Sequence, residues 1–330
     1  MPRILRLSAA ALAAVGGLVG AAAGSPAEAA GVQVAASSTV PQTSTAASTA
    51  PTLRFVNGSY FRTAAAVTTP PTINARAWAV ADMDTGRVIV ARSRHDELPQ
   101  ASTIKLLTAV TAADTVAALP SHKVTYAEAH PQYCTCAGLT VGARYTRQAL
   151  MAAMLLPSGN DAAEALAGSH PRGRAAFVTA MNAKAKALGA RHTTVVTPSG
   201  LTATGAHSSA YDLLVFLRAA QASAVVEPIL ELPSFALGPV GGKTHPVYRR
   251  TDYVNKYPTA QGKSGYTTPA KNTLVVNTPL SGHHIGVATL GAPGGYSTSG
   301  ARALTLWAAK NWQALRPVGQ LPPAPGPALN

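Results

Sequence analysis

The chain has 330 residues, a formal net charge of +14 and a pI near 10.1, which is long enough for one large domain with a substantial core. So basic a balance calls for an anionic neighbourhood. The Lys and Arg residues are scattered rather than clustered with aromatics, which speaks against nucleic acid, and the two cysteines are too few for a structural zinc site.

Residues 1–29 read as a secretory signal. Arg3 and Arg6 precede an uncharged run that lasts to Glu28, and Ala27-Glu28-Ala29 offers a small-x-small cleavage site before a mature start at Ala30. Left uncut, the same run would tether the chain to a membrane. Export also argues against nucleic acid and makes anionic cell-wall polymers the natural neighbours of the positive charge, although a basic surface that serves solubility explains it equally well. Residues 30–71, rich in Ser, Thr, Ala, Val and Pro, read as a flexible linker. The folded domain is expected over 72–315, and the Pro-rich residues 316–330 as a disordered tail.

Within that domain Ala75–Met83 and Arg87–Ala91, joined at Asp84-Thr85-Gly86, have the pattern of a strand pair. Ala101–Ala118 is apolar nearly all round and therefore a buried helix. Cys134 and Cys136 are two residues apart, so a bridge between them needs a tight turn; the pair reads as structural, with the bond left open. Helices are expected over Tyr145–Leu156, Asp161–Ala167, Pro171–Leu188 and Ser208–Ala220, making the middle of the chain a continuous helical block from about residue 101 to 230. From Ser234 the texture turns to strands at Val247–Val254, Gly262–Thr267, Thr273–Asn277 and His284–Leu290. Their short connections make them antiparallel partners of the first strand pair. Arg302–Trp312 reads as a closing helix. The outcome is an α+β fold: an antiparallel sheet flanked by helices, with an all-helical subdomain between the sheet halves.

Three short patterns carry chemistry. Ser102-Thr103-Ile104-Lys105 sets a serine and a lysine on one helical face, where a neutral amine could take the hydroxyl proton; burial among Ile104, Leu106 and Leu107 and a second cation would favour that neutral form. Taken alone it also reads as an exposed pair on an amphipathic helix. Ser158-Gly159-Asn160 is either an ordinary helix–helix turn or a hydroxyl and carboxamide facing the nucleophile. Lys263-Ser264-Gly265 is either an edge-strand lysine before a turn or a carboxylate site whose glycine leaves room for a substrate backbone. Gly241-Gly242-Lys243-Thr244 lacks the first glycine of a phosphate loop, Leu237 standing in its place. His283 and His284, adjacent on a strand, point to opposite faces and share no metal.

Together, and in this order, the three patterns resemble those of the penicillin-recognising serine peptidases, most of all the low-molecular-mass penicillin-binding D-alanyl-D-alanine carboxypeptidases. Pro99–Lys105, Leu156–Ala163, Thr197–Leu201 and Gly262–Thr267 carry the likeness, which covers roughly Ala75 to Trp312. The resemblance implies a β-lactamase/transpeptidase-like fold with no cofactor and no metal. It implies Ser102 as nucleophile, Lys105 as its base, and Ser158 and Asn160 completing the proton and substrate network. Lys263 and Ser264 would face the terminal carboxylate beside Gly265, with the backbone N–H groups of Ser102 and Tyr266 as oxyanion hole and Arg302 as a further carboxylate candidate. The partners it implies are peptidoglycan stem peptides ending in D-Ala-D-Ala, with β-lactams as covalent inhibitors. Ser264 replaces the usual Thr and keeps the hydroxyl. The C-terminal β-rich domain and amphipathic anchor of the family are not seen, so attachment is expected from the amino end or not at all. A D,D-endopeptidase uses the same residues. A serine β-lactamase would need a carboxylate to speed deacylation, yet no Asp or Glu occurs between Glu164 and Asp212. A non-catalytic wall-binding or β-lactam-sensing domain is the alternative from another class.

Overall fold

Asn57 and Gly58 both have positive φ, 50° and 74°, the conformation in which a two-residue turn joins right-twisted strands. They close a hairpin of β1 (Thr52–Val56) and β2 (Ser59–Thr63), so the expected linker of residues 30–71 is folded from Thr52 to Thr63. The cause is Phe61, fully buried and edge-on to Trp307 at 5.8 Å. One large aromatic on the inner face outweighs the polar composition around it. A computed structural model describes residues 50–324; the expected signal of residues 1–29 and the start of the linker lie outside them.

β3 (Ala77–Asp82) and β4 (Arg87–Arg92) form the expected strand pair. Ala77, Ala79 and Ala81 face one apolar cluster while Trp78 and Val80 face a second, as the two-residue period of a strand requires. The sheet is thus buried on both sides. Ala101–Ile104 is a 3-10 turn that passes into α1 (Lys105–Thr115), where a single helix over 101–118 is expected. In a 3-10 turn residues i and i+3 eclipse, which sets Lys105 over Ser102.

The helical block is not continuous. β5 (His122–Lys123) pairs with β6 (Arg144–Tyr145), α2 (Tyr126–Ala129) lies between them, and an irregular segment follows α2. Then come α3 (Arg147–Leu155), α4 (Asn160–Gly168), α5 (Gly173–Ala187), a long loop over 189–208, α6 (Ala210–Gln221) and α7 (Glu227–Glu231). Thr146 and Ser209 start α3 and α6 as N-caps, accepting from the N–H groups of Ala149 and Asp212.

β7 (Ser234–Val240) and β8 (Lys243–Tyr248) make a separate two-stranded sheet around Gly241-Gly242, whose φ values are 56° and 78°. The run expected as a main-sheet strand over Val247–Val254 therefore ends at Tyr248, and α8 (Asp252–Lys256) takes up its last residues. Leu237 and Val247 are buried in the helix-side core, which draws this hairpin onto α3 and away from the main sheet.

β9 (Gln261–Thr267), β10 (Lys271–Leu280), β11 (His283–Ala292), α9 (Tyr296–Asn311) and the short β12 (Leu315–Arg316) and β13 (Gly319–Gln320) complete the fold. The main sheet runs β1-β2-β4-β3-β11-β10-β9, with β12 on β2 and β13 on β4, all antiparallel. Residues 316–322 are thus not the disordered tail their proline content predicts. Leu321 is buried, and Arg218 donates to the Pro322 carbonyl at 2.6 Å. The helical block covers one face of the sheet and α9 the other. β9 is an edge strand and lies against the 3-10 turn that carries Ser102.

Candidate active site

Lys105 is fully buried, and its Nζ has three neighbours: Ser102 Oγ at 2.9 Å, Asn160 Oδ1 at 2.7 Å and the Ser199 carbonyl at 2.8 Å. The 3-10 turn brings the serine, the first turn of α4 brings Asn160, and the loop between α5 and α6 brings Ser199. That loop is tied down by Thr108, whose hydroxyl donates to the Pro198 carbonyl at 2.7 Å. It also needs Gly200: φ is +81°, and a Cβ there would lie 2.0 Å from the Ala101 carbonyl oxygen.

Burial pushes the Lys105 amine well below the ordinary lysine range, and the charge of Lys263 pushes it further, against the opposing pull of Asp161 and Glu164. Lys263 is itself brought down to about 7 by burial. An amine so placed is readily neutral, which is the state a proton acceptor requires.

The start of α4 is held from below. Asp161 is fully buried and accepts from the N–H groups of Ala137, Gly138 and Leu139 at 2.8, 2.9 and 3.0 Å and from Ala162 at 2.9 Å. A Cβ on Gly159 would stand 2.6 Å from the Ala153 carbonyl oxygen and 2.9 Å from the Ala137 Cβ, so the middle residue of Ser158-Gly159-Asn160 has to be glycine. Cys134 and Cys136 are bonded to each other. They lie with Asp161 in one group of ligand-type side chains, but both sulfurs are used in the bond and the carboxylate is engaged by backbone N–H groups.

On the opposite wall, a Cβ on Gly265 would approach the Ser102 nitrogen to 2.5 Å, which measures how tightly β9 presses on the nucleophile turn. Lys263 Nζ donates to the Ser264 carbonyl at 2.7 Å, and Thr273 Oγ1 ties β10 to the Gln100 carbonyl at 3.1 Å. The cleft has two lobes that share Ser102, Thr135 and Tyr266. One, of about 320 Å³, contains Ser158, Arg250, Asp252, Lys263 and Ser264; the other, of about 380 Å³, has no charged group on its wall and runs past Tyr133, Asn160, Leu201, Thr202 and Pro269. A larger cavity of about 500 Å³ between Asp84, Arg218 and Glu227 holds none of the expected site residues.

Of the eight expected residues, Ser102, Ser158, Asn160, Lys263, Ser264, Gly265 and Tyr266 line the cleft, and Lys105 lies buried behind its wall, bonded to Ser102 and Asn160. Ser158 has φ +69° and faces the cationic lobe, but among the described residues its hydroxyl bonds to neither Ser102 nor Lys105. Arg302 is not part of the site: it lies on α9 beside Tyr253, Tyr257 and Leu280, in a groove without Ser102. Arg250 takes its place as the second cation near Lys263, reached because its N–H bonds the Leu156 carbonyl at 2.9 Å. The Arg249-Arg250 pair in the sequence carries no spacing that would single it out. Thr197–Leu201 and the Cys134/Cys136 pair stand out in the sequence, but the parts played by the Ser199 and Tyr133 carbonyls do not, since these are backbone groups that any residue type could supply.

The sheet with its inserted helices defines the class of penicillin-binding DD-peptidase folds. The Streptomyces K15 DD-transpeptidase superposes with a TM-score of 0.68 over 73% of this chain and 98% of that one, and at 23% identity this likeness concerns the fold. A D-alanyl-D-alanine carboxypeptidase from Mycobacterium tuberculosis reaches 0.71 at 34% identity, covering 78% of this chain and 98% of that one. In sequence the chain is 37% identical over 219 residues to D-alanyl-D-alanine carboxypeptidase DacB2 of M. tuberculosis, spanning 66% of this chain and 74% of the relative. It is 33% identical over 228 residues to a D-alanyl-D-alanine endopeptidase of Pseudomonas aeruginosa, 66% of this chain and 71% of that one. Residues 64–294 match the peptidase S11 family model, and the chain belongs to this D-alanyl-D-alanine carboxypeptidase family of serine hydrolases.

Proposed function

We propose that Ser102 accepts the acyl group of a peptidoglycan stem peptide ending in D-Ala-D-Ala, with Lys105 taking the serine proton. The observation that carries this reading is the setting of the Lys105 nitrogen. A neutral amine has two N–H donors and one lone pair; Asn160 Oδ1 and the Ser199 carbonyl take the donors, and the lone pair is left to the Ser102 hydroxyl.

In the reaction the Ser102 O–H proton moves to Lys105 Nζ as Oγ bonds to the carbonyl carbon of the penultimate D-Ala. The backbone N–H groups of Ser102 and Tyr266 meet the oxyanion. The ammonium returns its proton to the nitrogen of the leaving D-Ala, with the Ser158 hydroxyl as relay, and water then cleaves the ester. Lys263, Arg250 and the Ser264 hydroxyl receive the terminal carboxylate, and the peptide backbone adds to the edge of β9, which the absence of a side chain at Gly265 lets lie close to Ser102. Slow deacylation with a penicillin is the expectation, because no Asp or Glu occurs between Glu164 and Asp212 and Asp161 spends its oxygens on four backbone N–H groups; Asp252, on the wall of the cationic lobe, lies beside Arg250 and Lys263. This favours a penicillin-inhibited peptidase over a β-lactamase.

D,D-endopeptidase cleavage of cross-links is the second reading, supported by relatives named for that activity and by the uncharged lobe, which leaves space for a second peptide. The amino-terminal pattern and the charge of +14 support a place outside the cytoplasm, among anionic wall polymers.

The test is the intact mass of the protein over time after one dose of a penicillin, with Ser102→Ala alongside. A lasting adduct absent from the variant is expected. An adduct that disappears within seconds as drug is consumed would indicate a β-lactamase, and no adduct at any time would leave only a binding domain.

A further inference from the structure

Asn160 does not owe its position to α4 alone. Its side-chain N–H donates to the Tyr133 carbonyl at 3.1 Å, and its backbone N–H donates to the Thr135 carbonyl at 2.7 Å. The Thr135 carbonyl lies within the ring closed by the Cys134–Cys136 bond, whose Cα atoms are 5.1 Å apart, and the Tyr133 carbonyl belongs to the peptide that leads directly into Cys134. After Cys136 the chain is anchored, with the Ala137, Gly138 and Leu139 N–H groups on Asp161 and the Ala137 carbonyl 3.0 Å from His245 Nε2, but before it the anchoring is sparse. Residues 132–135 are all exposed and outside regular structure, and Tyr133, with φ +56°, sits in a backbone region that non-glycine residues adopt only when held there. Thr135 lines both lobes of the cleft beside Ser102.

We propose that the Cys134–Cys136 bond is a positioning device for acylation, fixing the two carbonyls that orient Asn160 and through it the lone pair of Lys105. This rests on the reading of Ser102 and Lys105 given above. Because Cys134 is exposed, a small dithiol can reach the bond. The reagent supplies two electrons and two protons, the S–S bond becomes two thiols, and the reagent closes to its own disulfide. With the ring opened, Tyr133 and Thr135 are free to leave Asn160. Its amide loses its fixed orientation, and Lys105 keeps only Ser199 as a firm second acceptor.

The experiment measures acylation of the whole protein by a fluorescent penicillin, resolved into the binding constant K and the acylation rate k2, before and after dithiothreitol, with free thiols counted by alkylation and mass. Reduction is expected to lower k2 about tenfold or more, the value of one lost hydrogen bond to a reacting group, with K changed less than about twofold. Reoxidation restores k2. Cys134→Ser/Cys136→Ser starts at the reduced rate and ignores the dithiol, and it decides the matter if the bond resists reduction. In Asn160→Ala, already lacking the amide, reduction has little further effect, a non-additivity that a merely stabilising bond would not produce. Unchanged k2 in both the reduced protein and the double variant overturns the proposal. So does a loss confined to the amount of folded protein, or an equal loss in Asn160→Ala. No Ser102 adduct on the oxidised protein would instead refute the assignment of the nucleophile, and this inference with it.

Discussion

Replacing Asn160 by Asp puts a carboxylate 2.7 Å from Lys105 Nζ with almost no change in side-chain size. An opposite charge at hydrogen-bond distance raises an amine pKa by about 1–3 units, against the depression that burial and Lys263 impose. The sign of the effect on rate follows from the role of the amine. Lys105 acts as a base only when neutral, so k2 falls as pH drops through its pKa, and in Asn160→Asp that acid limb moves up by about 1–3 units. Below both values the variant is slower by about tenfold to thousandfold, and it recovers as pH rises past the new limb. Lys263, brought down to about 7, acts on the substrate carboxylate and so on K, and through its charge it shifts Lys105 in the wild type and the variant alike. The assay is penicillin acylation followed from about pH 5 to 10 with k2 and K separated. Asn160→Ala is the control, since it removes the acceptor without adding charge and so lowers k2 without raising the limb. The variant also loses the donor to the Tyr133 carbonyl, which lowers k2 at every pH, so the result that would refute Lys105 as the base is an acid limb left at its wild-type position.

Three further outcomes are expected. The unfolded chain holds the Lys263 proton up to 10.5 while the folded chain releases it above about 7, so stability rises with pH between these values, by at most about 5 kcal/mol from this group; Lys263→Met should flatten the rise in urea unfolding without abolishing it, because Lys105 acts in the same sense. In Gly265→Ala the new methyl meets the Ser102 nitrogen and, at 2.8 Å, Thr273 Oγ1. It should cut k2/K by about 100-fold or more through displacement of β9, and retention of wild-type acylation would show that the strand has slack. Phe61→Ala should cost about 3–5 kcal/mol in denaturant unfolding, and a loss below about 1 kcal/mol would mean that the first hairpin is not part of the core.

The sequence was most readable where a side chain performs the chemistry. Ser102, Lys105, Asn160 and Lys263 fall in three short patterns that are ambiguous singly and stand out by their order and their resemblance to the penicillin-recognising serine peptidases, and the cleft gathers them. It was least readable where backbone performs it. The Ser199 and Tyr133 carbonyls and the four N–H groups that hold Asp161 leave no trace in residue type. Composition misled at both ends of the domain. The linker contains Asn57-Gly58, a hairpin signal, and the tail contains Leu321, yet single apolar residues among Pro, Ser and Thr do not register in an average over forty residues. At Val247–Val254 the expected strand fails for most of its length: Val247 and Tyr248 end β8 in the separate hairpin and α8 begins at Asp252, because so few apolar residues over a short run fit a strand or a helix equally well.

The site draws on segments far apart in the chain. Lys105 meets Asn160 across 55 residues and Ser199 across 94, and Gln100 is tied to Thr273 across 173. Contacts of such separation form late, after the loops between them have closed. Until β9 and β10 arrive, Lys105 is open to water, where an amine keeps its proton at neutral pH, and the serine beside it is an ordinary alcohol. Reactivity therefore appears only when the domain is complete, so an unfinished or unfolded chain carries no active hydrolase within it.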